Sequence, residues 1–328
     1  MGVDLNLDTN ASIEVKKGDY EQAVLNKYLD SSSESWLSPT ALFRYVECPM
    51  KFYFASVAKL KTSDELSDTI DALTFGNILH ESMETLYGQA DILDIENPQK
   101  AIAAKRKRDI VETAVEQTMC RLLLNNRKVG AEEFSGDMIL VRDIVVKYIL
   151  RGIMRHDIAS EGYTIVGLEK DVDWNCPISN NRRVNLKGRA DRIDKLANGT
   201  LQIIDYKSGN TPHLEYNGMS NLFHGKAEER VSNIFQTMLY SMILSRKEGV
   251  ESAPSLYFAS QMLSDDYSPL ITDTSTHTTI ERYSDIAKEF EEEVHSLLEE
   301  LFDYSRPFTQ VDDEGMCRFC DFKKICRR

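Results

Sequence analysis

The spacing of apolar residues changes period about halfway along the chain. Between residues 74 and 87, Phe75, Ile78, Leu79, Met83 and Leu86 recur every three or four positions, which predicts an amphipathic helix carrying His80. Similar patterns predict helices over about 98–128 and 132–160, so the chain up to Gly162 reads as mainly helical. Ser38 followed by Pro39 offers an N-cap and a first-turn proline, and the helix they open is interrupted by Pro49 just after Cys48. Beyond Gly162 the period shortens to two. The stretches 163–174, 183–196 and 200–206 are β-branched and alternating, with the hairpin signal Asn198-Gly199 before the last. Residues 233–246 return to helix period, 254–260 read as another strand, and about 278–302 as a final helix. The order predicts an α/β domain: a central mixed sheet flanked by helices, a helical N-terminal region and a cysteine-rich C-terminal tail. Residues 1–35 are polar, hold SSSES at 31–35 and show no sustained period, so they read as a linker or lead-in. The domain then spans 36–328, with a helical part to 162, a sheet core over 163–260, and the last helix and tail over 261–328.

Composition adds little to this and removes some classes. With 42% hydrophobic and 28% charged residues the chain has an ordinary globular balance, and no run approaches the roughly 20 apolar residues of a membrane span. The first residues lack the basic-then-apolar order of a secretory signal, so a cytoplasmic location is expected. Lys and Arg number 39 against 53 Asp and Glu, a net charge of −14 that opposes a polyanion at long range. Salt screens that repulsion beyond about 8 Å, so a local basic groove can still hold phosphates. Much of the acid lies in 289–300, while bases cluster at Lys105, Arg106, Lys107 and Arg108, at Arg182 and Arg183, and at Lys323, Lys324, Arg327 and Arg328. Each cluster is equally well explained as a solvated face. No G-x-x-x-x-G-K-[ST] occurs, so no nucleotide-triphosphate motor is expected within these residues.

On the strand TLQIIDYK, alternation puts Leu201, Ile203, Asp205 and Lys207 on one face, so an acid and an amine emerge side by side at its end. Asp205 can hold a divalent cation, and Lys207 can orient or deprotonate a water, or stabilise charge on a phosphate. Asp191, within GRADRID on the preceding strand, would reach the same end through the hairpin. Oxygen ligands of this kind suit Mg²⁺ or Mn²⁺ rather than zinc. Taken alone, D-x-K at a strand end is more often a plain ion pair. The six cysteines read as thiols or metal ligands rather than disulfides. Cys317, Cys320 and Cys326 form C-x₂-C-x₅-C in a tail too short to be ordered by a core of its own. A fourth ligand is needed, and Cys48 at the helix break is its candidate. On spacing alone zinc and an iron–sulfur cluster are equally credible. Cys120 and Cys176 have no partner at ligand spacing and are expected to be packing residues.

Together, G-R-A-D-R-I-D, a short hairpin and I-I-D-Y-K-S-G resemble the core of the PD-(D/E)XK nuclease superfamily, and DYKSG is close to its RecB/AddB branch. The resemblance implies a restriction-endonuclease-like core and exonucleolytic hydrolysis of DNA with Mg²⁺ or Mn²⁺. It implies that Asp191, Asp205 and the carbonyl of Tyr206 bind the metal and that Lys207 assists catalysis. FGNILHESME matches the branch's G-x-x-x-H through Gly76 and His80, which implies that His80 joins the metal shell. Gln236 and Tyr240 match its Q-x-x-x-Y, and Glu169 corresponds to an upstream acid. The first motif lacks the family's proline, reading Arg189-Ala190-Asp191, as is common in the RecB type. AddB-type and CRISPR-associated exonucleases of the superfamily carry one cysteine before the core and three after it in the same spacing. That implies a structural [4Fe–4S] cluster on Cys48, Cys317, Cys320 and Cys326, open to replacement by zinc on purification. Such domains lie at the C-terminus of helicase-like chains that process double-strand breaks. DNA ends and a helicase subunit, or a helicase-like N-terminal region, are the implied partners, and the chain would be one domain of a longer protein. The readings weighed against this are a non-catalytic DNA-end-binding or helicase-partner module, a CRISPR-associated-type single-strand exonuclease, and a zinc-stapled interaction domain. The joint presence of Asp191, Asp205 and Lys207 speaks against the first.

Overall fold

The computed structural model describes residues 13–60, 70–124, 134, 136–209 and 214–328. The chain enters through β1 (Glu14–Val15) and α1 (Asp19–Asn26), then α2 (Pro39–Glu47) and α3 (Pro49–Phe52). The hydroxyl of Ser38 accepts from the amide of Ala41 at 3.1 Å and Pro39 opens α2, as the capping pattern predicts. Cys48 leaves the helix in extended conformation, and Pro49 restarts it as α3. Next come α4 (Ala72–Tyr87), α5 (Gln99–Lys105), α6 (Arg108–Leu123), α7 (Gly136–Lys147) and α8 (Met154–Ala159), the last two joined by a π-helical stretch at Tyr148–Ile153. The helix expected over 98–128 is therefore broken at Arg106 and Lys107. Its far end, like the start of the one expected from 132, lies outside the described residues.

The alternating stretches form an antiparallel meander of β2 (Tyr163–Pro177), β3 (Arg183–Leu196) and β4 (Leu201–Lys207). Gly199, in the turn before β4, has φ 88°, a conformation glycine adopts freely. β5 (Glu215–Tyr216) and α9 (Met219–His224) lead into α10 (Ser232–Glu248), which carries the chain across the sheet so that β6 (Ser252–Phe258) lies parallel to β4. β7 (Ile271–Asp273), β8 (Thr278–Ile280), α11 (Ala287–Leu301) and β9 (Phe308–Thr309) follow. The final helix thus starts later than its sequence pattern suggests. Thr278 and Thr279 pair with β7 instead, as β-branched residues favour.

The main sheet has the order β2-β3-β4-β6 and is mixed, flanked by helices as expected. Alternation on β4 sends Ile203 into a core shared with Phe235 of α10, Leu42 of α2 and Phe290 of α11. Ile204 and Tyr206 point into a second core, with Leu79 of α4 and Val111 of α6. β6, covered on both faces, is buried throughout. No helix among the described residues is long and apolar enough to cross a membrane.

The stretch expected as a lead-in is packed from residue 13 onward; residues 1–12 lie outside the described residues. β1 pairs antiparallel with β9, and Leu25 of α1 is fully buried. The Lys17 ammonium donates to the carbonyls of Glu300, Leu301 and Asp303 at 3.1, 2.7 and 3.0 Å. Carbonyls at a helix C-terminus lack intrahelical donors, and the lysine answers two of them at the end of α11 and a third, that of Asp303, just beyond it. A polar composition concealed this because the anchor is itself a charged residue.

Candidate active site

Five of the side chains singled out by sequence meet where β3 and β4 run beside α4. The Nδ1 of His80 lies 3.3 Å from Asp191 Oδ2 and 3.9 Å from Glu169 Oε1. One ligand atom from each of these three residues falls within 4.8 Å of the others, and theirs is the one such group among the described residues. The Tyr206 amide donates to Asp191 Oδ2 at 2.7 Å, which fixes that carboxylate to the neighbouring strand. Asp205, almost fully buried, has its Oδ2 2.6 Å from the Lys207 ammonium, which is its ion-pair partner.

Glu169 reaches this site through a local distortion. It lies between the Leu168–Arg192 and Lys170–Ala190 pairs of the β2–β3 ladder, and so stands across from Asp191. Its φ is 44°, a left-handed conformation that is uncommon for a residue with a Cβ and is often found at functional sites.

The electrostatics follow from crowding acids in a buried place. Burial, then the charge of Asp191, push the Glu169 carboxyl up to about 7. Burial likewise raises Asp205 to about 6, against the pull of Lys207. Burial alone would lower His80, but its hydrogen bond to Asp191 and the surrounding acids outweigh it and raise it to about 8. The Lys207 ammonium is held above its ordinary value, because Asp205 outweighs the cost of burial. Two acids and an imidazole converge beside a third, buried carboxylate paired with Lys207. That donor set fits a hard divalent cation, whose charge would offset the burial and the Asp191 charge that raise Glu169.

Gln236 and Tyr240 stand one helical turn apart on α10, the Gln236 amide donating to the Tyr240 hydroxyl at 2.9 Å. The Tyr240 ring packs against Gly188 so closely that a Cβ there would run into it. Gly188 is a site residue that sequence reasoning missed, although its place three residues before Asp191 was a signal. Arg192 was missed as well. It sits on the opposite side of β3 from Asp191, buried in an ion-pair network with Asp157 and Asp194.

The family model of the PD-(D/E)XK nuclease superfamily matches residues 36–327, from the turn before α2 to beyond the last cysteine. The chain belongs to this superfamily. Its fold accords with the restriction-endonuclease-like arrangement expected for PD-(D/E)XK proteins. Among its relatives are the B-type subunits of the ATP-dependent helicase/deoxyribonuclease from Clostridium perfringens strain SM101 and from strain 13 of the same species. Each is 26% identical over 211 residues, covering 62% of this chain and 17% of the relative. This PD-(D/E)XK chain thus spans about a sixth of the length of the curated relatives it matches.

The four cysteines expected as ligands also converge. Cys48 packs with Met50, Phe54 and Phe322, and Cys320 and Cys326 border the same cluster. Burial and the neighbouring thiols, Cys48 among them, raise the thiols of Cys317 and Cys326. Gln310 closes the arrangement, accepting from the amide of Ile13 and donating to the carbonyl of Cys326. Cys176 is fully buried in the core beside α10, and Cys120 packs in the helical half.

Proposed function

We propose that this chain is a metal-dependent DNA exonuclease domain, the nuclease part of a helicase–nuclease system that processes double-strand breaks. The observation that carries the reading is the meeting of His80, Glu169 and Asp191 beside the Asp205–Lys207 pair. His80, Asp191 and Asp205 would hold Mg²⁺ or Mn²⁺ with the Tyr206 carbonyl, and Glu169 would stand at the edge of that shell. Once bound, the cation supplies Lewis acidity to a phosphate oxygen and lowers the pKa of a water. Of the two roles open to Lys207, its raised pKa favours the charged one. It stabilises the negative charge that grows on the phosphate under attack, rather than taking a proton. Glu169, held as a carboxylate once the cation is bound, would orient the attacking water by accepting a hydrogen bond from it. Gln236 and Tyr240 support the substrate strand from α10.

The further reading is that Cys48, Cys317, Cys320 and Cys326 hold a structural [4Fe–4S] cluster. What supports it is that Cys48 and the tail cysteines gather about one apolar cluster, in the one-before, C-x₂-C-x₅-C-after order. DNA ends are the substrate, and a helicase subunit or a helicase-like part of a longer protein the partner; the named relatives support this. The chemistry is tested with end-labelled single- and double-stranded DNA and Mg²⁺ or Mn²⁺, comparing wild type with Asp205→Ala. Loss of cleavage in a folded variant supports it, and cleavage at the wild-type rate overturns it.

A further inference from the structure

Asp157 lies in α8, which contributes nothing to the metal-binding residues, and its carboxylate is buried. Each of the elements that do contribute reaches Asp157 or its partner Arg192. α4 carries His80 and, seven residues on, Tyr87, whose hydroxyl donates to Asp157 Oδ2 at 2.7 Å. β2 carries Glu169 and begins at Tyr163, whose hydroxyl donates to the Asp157 carbonyl at 3.0 Å. On β3, Arg192 directly follows Asp191 and gives its Nη1 to Asp157 Oδ2. On β4, Tyr206 directly follows Asp205, and its hydroxyl accepts from the same Nη1 at 3.4 Å. The guanidinium also lies over the rings of Tyr87 and Tyr163, 5.3 and 5.4 Å from their centroids.

Stability does not account for this arrangement. Two buried carboxylates, Asp157 and Asp194, share one guanidinium, and Asp157 Oδ1 has no hydrogen-bond partner among the described residues. Apolar side chains filling the same volume often serve a core as well or better. What hydrogen bonds add is direction, because they fix an angle as well as a distance. The links from this network to the site are short. His80 and Tyr87 share one face of α4, about 10 Å apart along its axis, so pinning Tyr87 fixes the rotation that aims the imidazole at Asp191. Tyr206 is held at three points: its amide donates to Asp191 Oδ2, its ring stands edge-on to His80 with centroids 6.0 Å apart, and its hydroxyl meets Arg192.

We propose that Asp157 is a positioning residue: with Arg192 it sets the register of the four elements that carry the site, and so the site's affinity for a divalent cation. This rests on the metal-dependent reading above and adds to it a residue that never touches the cation.

The test reads Mn²⁺ affinity in folded protein, by electron paramagnetic resonance well below the melting transition. Tyr87→Phe removes one hydroxyl and keeps the ring. It should weaken Mn²⁺ binding about fivefold, the typical worth of a buried hydrogen bond expressed as an equilibrium constant. In a His80→Ala background the same substitution should cost nothing further, because the hydroxyl acts through His80. Asp157→Asn, which sets an uncharged carboxamide beside Arg192, should lose more. Tyr283→Phe is the control: Tyr283 donates to Glu291 at 3.0 Å in the other core, so its loss should lower the melting temperature without moving the affinity. Wild-type affinity in Tyr87→Phe, the same loss with and without His80, or an equal loss in Tyr283→Phe would each overturn the proposal. The nuclease reading fails separately: a protein that binds Mn²⁺ in this pattern and cuts no DNA keeps Asp157 in its role and loses the chemistry, whereas a wild type that binds no Mn²⁺ loses both.

Discussion

Arg192 Nη1 lies 2.7 Å from Asp157 Oδ2, and both side chains are 1% exposed. The other edge of the guanidinium grips Asp194 through two hydrogen bonds, at 2.7 and 2.6 Å. Tyr87, at the end of the helix that carries His80, donates to the same oxygen of Asp157 at 2.7 Å. One buried cation therefore joins α8, α4 and β3 directly behind the site. Removing it strands two buried carboxylates, so Arg192→Met should lose about 3–5 kcal/mol. Urea unfolding measures this. The triple replacement Arg192→Met, Asp157→Leu, Asp194→Leu should recover much of the loss.

The site titrates in a direction that opposes cation binding. Glu169, raised by burial and Asp191, and His80, raised by Asp191 against burial, both bind a proton more tightly folded than unfolded. Their contribution to stability is therefore present at low pH and lost on the way up: for Glu169 between about 4.5 and 7, for His80 between about 6.5 and 8. A cation needs the carboxylate and the neutral imidazole, so the rise in melting temperature given by Mn²⁺ should grow from about pH 6 to about pH 8. Thermal melts with and without Mn²⁺ across that range check this; an increment that does not change with pH would contradict it.

Gly188→Ala drives a methyl into the Tyr240 ring. We expect about 1–3 kcal/mol of overpacking strain and a loss of cleavage exceeding that of Tyr240→Phe, because the whole ring moves rather than one hydroxyl. Comparing kcat for the two variants under saturating DNA decides the matter.

In the proposed cluster, Cys48 would supply the coordination position that three tail cysteines leave open. Protein purified without oxygen should be brown and contain iron, and Cys48→Ala should lose both colour and several degrees of melting temperature. Cys120→Ser and Cys176→Ser should keep the colour. Stoichiometric zinc without iron in the wild type would overturn the cluster.

The parts of the site legible in the sequence are those where chemistry and local periodicity coincide. Asp205 and Lys207 alternate on one strand, His80 rides an amphipathic helix, and Asn198-Gly199 brings Asp191 back alongside. Glu169 was harder, because its position depends on a positive φ that no residue preference announces. Arg192 was invisible as a structural centre: alternation separates it from Asp191, but its partner Asp157 belongs to another element. Thr278 and Thr279 followed strand chemistry inside what looked like helix period. The segment around Lys17 reads as a linker or lead-in because its anchoring contact is made by a charge to backbone carbonyls.

The topology also sets the order in which the site can assemble. Glu169, Asp191 and Asp205 sit on three consecutive strands and meet by hairpin closure, whereas His80 comes from a helix far upstream, and β6 can pair only after α10 has crossed the sheet. Closing a long loop costs more entropy and time than closing a turn. On refolding from urea, strand and helix signal should therefore recover before Mn²⁺-dependent cleavage does, with a phase in which the acids are paired but the imidazole is undocked. Stopped-flow circular dichroism and activity sampled at matched times would show the lag; coincident traces would mean that α4 docks as early as the meander closes.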